Sequence, residues 1–352
     1  MVILETELTR LAAELLMAWG ASDGAALLTA RHLVESNLMG VDSHGIMRLP
    51  QYIDLIAQGE IDPAALVTAT DDRGAILALD GNRALGPAAA HQAAMAAAER
   101  AAHHGIALVL LRNSGHAGRI GAHTEVMAAA GVMALAFCNS PIYGHFVAPP
   151  GAREGRLATN PISFAFPTGG DPVVADFATS AMPEGAIRLR RERHERLPSD
   201  VLLDSAGRPT TDPQALYDDP RGVILPLGGT GNGHKGFSLA LLVEVMAGTL
   251  VGDSATDTVR RGNNIAFIGI AIGATPARDS FNALADELVT YVRSAQPIGP
   301  GTTVMVPGDK ERRMRAERSR SGIPIDAFTW NGIVERAARV GYAIPRTLTS
   351  QS

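Results

Sequence analysis

Two histidines lie in glycine-punctuated segments where a side chain can meet a substrate. In DSHGIMR, Ser43, His44 and Arg48 fall within six residues, so an acid–base imidazole and a planar guanidinium fork for a carboxylate can stand close together. In RNSGHAGRIG, His116 is flanked by Gly115 and Gly118 directly after a predicted strand, a common location for functional groups in α/β proteins. Histidine suits proton transfer because its ordinary pKa lies near working pH. One loop histidine is more often incidental than catalytic, but two in separate glycine-flanked loops shift the balance.

Other motifs fail on chemistry. Gly231, Gly233 and Gly236 in GNGHKG formally match GxGxxG, but the acid at the expected distance, Asp253, follows one long apolar helix with no strand before it. A P-loop fails because His234 precedes Lys235 and Gly236 follows it, where Ser or Thr is needed. What survives is flexible backbone beside a cation at a helix start, suited to an anionic ligand, against a plain glycine turn. Of the remaining histidines, His91, His103 and His104 belong on or beside a helix face and His194 lies in a charged connector. None has HExxH spacing and the chain has one cysteine, so no metal site is expected.

The elements that must hold these loops are readable. Apolar residues recur at helical spacing from Thr6 to Leu38, with Ser22 and Asp23 as a cap between two helices, and Pro50 predicts a break. The middle alternates β-prone runs with helices: AILALD, GPAAAHQAAMAAAERAAHHG, IALVLLRNS, GAHTEVMAAAG and VMALAFCNS, the signature of an α/β domain. PISFAFP and PVVADFAT predict further strands, and RLRRERHERLPSD a solvated connector. VILPLG predicts a strand leading through GGTGNGHKG into the helix FSLALLVEVMAGTL, and NNIAFIGIAIG another strand. From about Ser280 the chain predicts helices around a loop, VPGDKERRMRAERSRSG.

Composition bounds the rest. The 352 residues are 46% hydrophobic and 19% charged, with net charge −5, enough for a sizeable core and too mild a balance for a nucleic-acid partner. Cys138 lies in an apolar run, which predicts a buried thiol and a reducing, cytoplasmic setting. The N-terminal stretch carries Glu5, Glu7, Arg10 and Glu14 in an amphipathic pattern unlike a signal peptide, and no other stretch approaches an uncharged membrane span. A membrane is therefore not an expected partner.

In order along the chain, SHGIMRLPQY, GHAGRIG, CNSPIYGHFVAPPGAREGRLATNP, DFATSAMPEG, DSAGRPTTDP, PLGGTGNGHKGFSLALLVEVMAGTL, VPGD and SGIPID resemble the type-2 malate/L-lactate dehydrogenase family. Within it, the chain is most similar to the hydroxycarboxylate dehydrogenase branch. The resemblance implies an α/β fold with a mixed sheet that binds a dinucleotide, NAD or NADP, without Rossmann topology, in a homodimer. It implies a helical substrate-side region, 1–75, packed with a C-terminal segment, 301–352, beside a central cofactor region, 76–300. His44 and His116 fall on the family's acid–base histidines. Ser43, Arg48 and Tyr52 match residues on the side of the small carboxylic-acid substrate. Ser140, Asn160, the run Asp176, Phe177, Ala178 and Thr179, then Lys235, and Pro307, Gly308 and Asp309 match cofactor-holding segments. The implied activity is hydride transfer between NAD(P)H and a 2-oxo or 2-hydroxy acid; a cyclic imino acid reductase and a non-catalytic dinucleotide binder are the alternatives. One departure stands out: Glu184, Gly185 and Ala186 leave out a lysine common at that point, which puts cofactor contacts there in doubt. Near His123, where many members carry an aromatic residue, the pocket shape is expected to differ.

Overall fold

The computed structural model describes residues 1–141, 144–256, 262–345 and 348. The chain opens with β1 (Val2–Ile3), α1 (Glu5–Ala18), α2 (Asp23–Leu38) and α3 (Leu49–Ala57). Ser22 caps α2 by accepting the Ala25 N–H, and Pro50 sits in the first turn of α3, as the sequence predicts. Next come β2 (Thr68–Asp72), β3 (Ile76–Asp80), α4 (Gly86–His104), β4 (Ile106–Ser114), α5 (Ile120–Ala129), β5 (Val132–Asn139), β6 (Ile162–Phe166) and β7 (Val173–Phe177). Then α6 (Glu184–Glu192), the short strands β8 (Leu202–Leu203), β9 (Pro209–Thr210) and β10 (Val223–Ile224), α7 (Gly229–Ala247) and β11 (Asn263–Ala271) follow. The last elements are α8 (Phe281–Arg293), α9 (Asp309–Ser321), β12 (Ile323–Pro324) and α10 (Ala327–Arg339).

Seven strands form the central sheet in the order β2-β3-β4-β11-β5-β6-β7. Of its neighbouring strand pairs only β3 and β4 pair in parallel, and β11 inserts antiparallel between β4 and β5. The sheet is therefore mixed. Its β4, β5 and β11 read as nearly continuous apolar runs because helices cover both faces. On one face α4 presents Ala90, Ala93, Ala94, Ala97 and Ala101, all fully buried. These small side chains let the helix backbone approach β11, where a Cβ on Gly269 would stand 3.1 Å from the Ala97 carbonyl oxygen. On the other face, Val243 and Ala247 of α7 pack on Leu110, Phe137 and Ala266.

A second core joins α1, α2 and α3 to the C-terminal helix α10 around Leu11, Leu15, Leu33, Ile46, Leu49, Tyr52, Trp330 and Ile333. Each large apolar side chain fully buried there contributes roughly 1.5–3 kcal/mol. The chain's two halves are also sewn together by β1 on β12, Ile3 opposite Ile323.

Three segments differ from expectation. The strand predicted at VILPLG shrinks to two residues, and the glycine-rich segment after it is not a loop but the first two turns of α7. Its N-terminus is held by Asp200, whose carboxylate accepts the Thr230 N–H at 2.9 Å, so an acidic side chain already occupies the place suggested for an anionic ligand. The supposed loop after VPGD is mostly helix: Asp309 and Glu311 in the first turn of α9 and Arg318 and Arg320 in the last complement the helix dipole. The charged connector begins as α6, with Ile187 buried beneath it. A further point concerns Gly229–Val251, which at 23 residues and mean hydropathy 1.3 does reach membrane-spanning length. It is not uncharged: Lys235 interrupts it, and buried Glu244 accepts hydrogen bonds from Asn139 and Asn160, tying it to β5.

Candidate active site

His44 ends a single 3-10 turn, Asp42–His44, and Arg48 ends a second, Ile46–Arg48. Neither turn could hold itself in place, and anchors from distant elements do so. Asn37 of α2 donates to Asp42 at 2.6 Å and accepts the Ile46 N–H at 2.7 Å. Arg318 of α9 grips the Asp42 carboxylate with both terminal nitrogens, at 2.6 and 3.1 Å. Gly45 is required between the turns, because a Cβ there would sit 2.3 Å from Oδ1 of Asn37. The Ser43 hydroxyl lies 3.0 Å from Nδ1 of His44. Buried Arg48 donates to the Ser43 carbonyl at 2.8 Å and to Gln51 at 2.7 Å, both neutral groups.

His116 sits on the loop between β4 and α5. Asn263 of β11 accepts the Ala117 N–H at 2.9 Å and donates to the Asn139 carbonyl and the Ser140 hydroxyl, both at 2.8 Å. His32 of α2 accepts the Arg119 N–H at 2.9 Å. Gly118 between them has φ +77°, and a Cβ there would fall 2.0 Å from Nε2 of His32, so no other residue fits.

Tyr52 of α3 reaches across to this loop, its hydroxyl 2.8 Å from Nδ1 of His116. The Gly118 N–H donates to the same nitrogen at 3.3 Å. A backbone N–H can only donate, so Nδ1 is an acceptor and the neutral ring carries its proton on Nε2. The His44 and His116 rings stack with centroids 5.6 Å apart and planes 24° from parallel. The structure thus brings His44, His116, Arg48, Ser43 and Tyr52 together.

Burial governs the charges here. Part of each histidine ring stays accessible, but the surrounding side chains exclude most water. His44 is held down to about 3 by burial and by the charges of Arg48, Arg119 and Arg188, and His116 is pushed well below its ordinary value by the same burial, with Arg48 and His44 adding to it. Both are neutral near pH 7. Tyr52 is pushed up by burial and stays a phenol.

The segments expected to hold cofactor fall into separate groups. Asp176, Phe177, Pro307 and Gly308 line one cavity of about 300 Å³ with Arg119 and Arg312. Asp309 follows directly, but its carboxylate is engaged by Arg293 at 2.6 Å, Arg312 at 2.7 Å and the Val306 N–H at 2.9 Å. Ser140 touches Asn263, next to the His116 loop. Ala178 is half-buried, and the Thr179 hydroxyl donates to the Asn160 carbonyl at 2.9 Å. Asn160 in turn donates to Glu244. Lys235 is exposed on α7 and is not among the residues lining the cavity.

Sequence reading missed His32, Asn37, Asn263 and Arg318, which position the two histidine-bearing loops from elsewhere in the chain. It also missed Arg119 and Arg188, whose charges bear on the histidines. His123 is buried behind the loop, its Nε2 3.1 Å from the Ala117 carbonyl oxygen and its ring stacked on His32 with centroids 5.0 Å apart.

Comparison with known proteins places this geometry. Residues 3–334 match the family model described as malate/L-lactate dehydrogenase. Hydroxycarboxylate dehydrogenase B of Escherichia coli K12 is 35% identical over 332 residues, covering 92% of this chain and 90% of that protein. L-lactate dehydrogenase of Cupriavidus necator is 33% identical over 97% of this chain and 98% of its own. A solved structure of a putative malate/lactate dehydrogenase from E. coli superposes with TM-score 0.91 at 32% identity, covering 99% of this chain and 98% of that one. The chain belongs to the malate/L-lactate dehydrogenase family of oxidoreductases.

Proposed function

We propose that the protein transfers hydride between a nicotinamide nucleotide, NAD or NADP, and a small 2-oxo or 2-hydroxy carboxylic acid. The observation that carries this reading is the stacked His44–His116 pair beside a buried arginine whose hydrogen-bond partners among the described residues are neutral. A buried guanidinium without a carboxylate is costly unless an anion joins it, and Arg48 is placed to receive the substrate carboxylate through its planar fork.

The nucleotide, when bound, supplies or accepts the hydride. The cavity holding Asp176, Phe177, Pro307 and Gly308 fits part of it: Arg119 and Arg312 bring positive charge, α9 begins there, and Nε of Arg119 is buried with no partner. Ser140, Asn160, Ala178, Thr179, Lys235 and Asp309 complete the cofactor-holding segments in this reading. Residues 1–75 and 301–352 then form the substrate side, packed on the cofactor region 76–300.

The protein's own residues handle the proton and the substrate's orientation. Arg48 fixes the carboxylate, so that the carbonyl is held in one pose. Nε2 of His116 carries a proton and supports the oxygen as it becomes an alkoxide, while Tyr52 and the Gly118 N–H hold that ring by Nδ1. His44, fastened by Ser43, stands as the second acid–base group. In the oxidative direction the substrate hydroxyl hydrogen-bonds to His116 and gives its proton to His44, whose Nε2 is unprotonated when its Nδ1–H donates to the Ser43 hydroxyl.

The apolar face of α7, where Leu241 is 52% and Val245 42% exposed, is the surface on which a second copy docks to form a homodimer. The single buried cysteine suits the cytoplasm.

The test is loss of reduced-nicotinamide absorbance when purified protein meets NADH or NADPH with a panel of 2-oxo acids and cyclic imino acids. Turnover of an open-chain 2-oxo acid is expected. Turnover of cyclic imines alone would move the reaction to C=N reduction, and nucleotide binding without any turnover would leave only a binder.

A further inference from the structure

We infer that Arg188 binds a second acidic group at the far end of the substrate, so that the preferred substrates are 2-oxo or 2-hydroxy diacids. This rests on the activity proposed above and deepens it.

The start of α6 forms a wall of the site. It packs on the Asp42–His44 turn, and a Cβ on Gly185 would stand 3.0 Å from Nη2 of Arg48 and 3.4 Å from Cβ of Ser43. Arg188 is three residues further along, on the same helix face. It is half-buried, and its charge reaches His44, Arg48 and His116.

Arg188 makes no hydrogen bond or ion pair with any described residue, although its own helix offers acids at the favourable spacing. Glu184 lies four residues before it and Glu192 four after it. Glu184 is instead engaged by the Tyr217 hydroxyl at 2.7 Å, and Arg191 covers the Tyr217 ring at 4.0 Å. The pair Glu184–Tyr217 thereby holds back the carboxylate that would neutralise Arg188. Glu184 still favours the charge on Arg48 from a distance but bonds neither guanidinium.

Two guanidiniums thus lie on the α6 side of the histidine pair, Arg188 one turn beyond the Gly185 contact with Arg48, and no carboxylate of the described residues bonds either. A monocarboxylic substrate answers one of them. A substrate with a second carboxylate or a sulfonate, separated from the reacting carbon by a short link, answers both.

The experiment compares two four-carbon 2-oxo acids, oxaloacetate and 2-oxobutanoate, with the reduced nucleotide and purified wild-type, Arg188→Gln and Arg188→Lys proteins. A 3-sulfopyruvate arm separates sulfonate from carboxylate recognition. Wild type is expected to favour the diacid, and Arg188→Gln to collapse the ratio of kcat/KM between diacid and monoacid by roughly 10- to 100-fold, mainly through KM. Arg188→Lys should restore part of the ratio as a point charge. Calorimetric binding of succinate against butyrate gives a readout independent of turnover. If 2-oxo acids are reduced but the ratio ignores Arg188, the inference falls and the activity stands. If no 2-oxo acid is reduced while succinate binding still depends on Arg188, the activity falls and the anion site stands. Loss of neither ratio nor succinate affinity in Arg188→Gln overturns the inference outright.

Discussion

The Tyr52 hydroxyl and the Gly118 N–H converge on one nitrogen, Nδ1 of His116, at 2.8 and 3.3 Å. Together they set the tautomer and aim Nε2 away from the backbone. Tyr52→Phe keeps the buried ring but removes one of the two bonds. We expect kcat to fall about 10-fold with nucleotide affinity intact. Steady-state kinetics alongside a nucleotide titration check this, and an unchanged kcat would mean that Gly118 alone suffices.

Removing the proton-transferring group should lower kcat by roughly 10²- to 10⁴-fold. His116→Ala is expected to take the larger loss, because its Nε2 carries the proton; His44→Ala should lose less. Single-turnover rates on both variants decide, and equal, small losses would dismiss both histidines.

Arg48→Ala should raise KM sharply for carboxylate substrates. The guanidinium is buried among neutral partners, so its replacement removes a charge-assisted contact that nothing else in the turn supplies. Unchanged kinetics would remove Arg48 from the substrate side.

Acid should destabilise the protein earlier than its carboxylates alone would suggest. His44, near 3, and His123, near 4, both depressed chiefly by burial, are neutral when folded but take up a proton near 6.5 when unfolded, and His32 and His116 shift the same way. Their contribution is complete above about pH 6.5 and is lost as pH falls below it, by up to about 1.4 kcal/mol per pH unit for each group. Asp309, whose burial is outweighed by Arg293 and its other hydrogen-bond partners, is held near 2 and loses its contribution only in stronger acid. Thermal melts between pH 7.5 and 5.0 should therefore show Tm falling below pH 6.5. A flat Tm over that range would show that the buried imidazoles are not neutral.

Leu242 is 46% exposed on α7, beside Leu241 and Val245. If a second copy covers this face, Leu242→Glu should shift the protein from dimer to monomer in light scattering after size exclusion, with helix content unchanged. A wild-type protein that runs as a monomer would refute the dimer directly.

Much of the scaffold was legible because its signals are local. The apolar runs of β4 and β5 and the alanine repeat of α4 predict the elements observed, since burial on both sides of a sheet and close helix packing leave direct marks on a sequence. The histidine and arginine candidates were legible for a similar reason: glycines beside reactive side chains advertise loops. What escaped is non-local. The helical start at Gly229 depends on Asp200, which no window around the glycines contains. The supports of His116 come from His32 and from Asn263, far along the chain in both directions. Arg188 was hidden in a run of charge whose ordinary explanation is a solvated surface, and only the packing of α6 on the Asp42–His44 turn takes it out of that class.

The clamp of Arg318 on Asp42 spans 276 positions of sequence. It has a temporal consequence. During synthesis α1, α2 and α3 wait for α10 to complete their core, and the turn bearing His44 waits for α9 to supply its clamp. A ribosome-bound chain ending before α9 would carry both histidines and the whole central sheet, yet lack the Arg318 clamp on the turn bearing His44. The turn bearing His44 therefore gains its Arg318 anchor only late in synthesis, after the whole central sheet has been made.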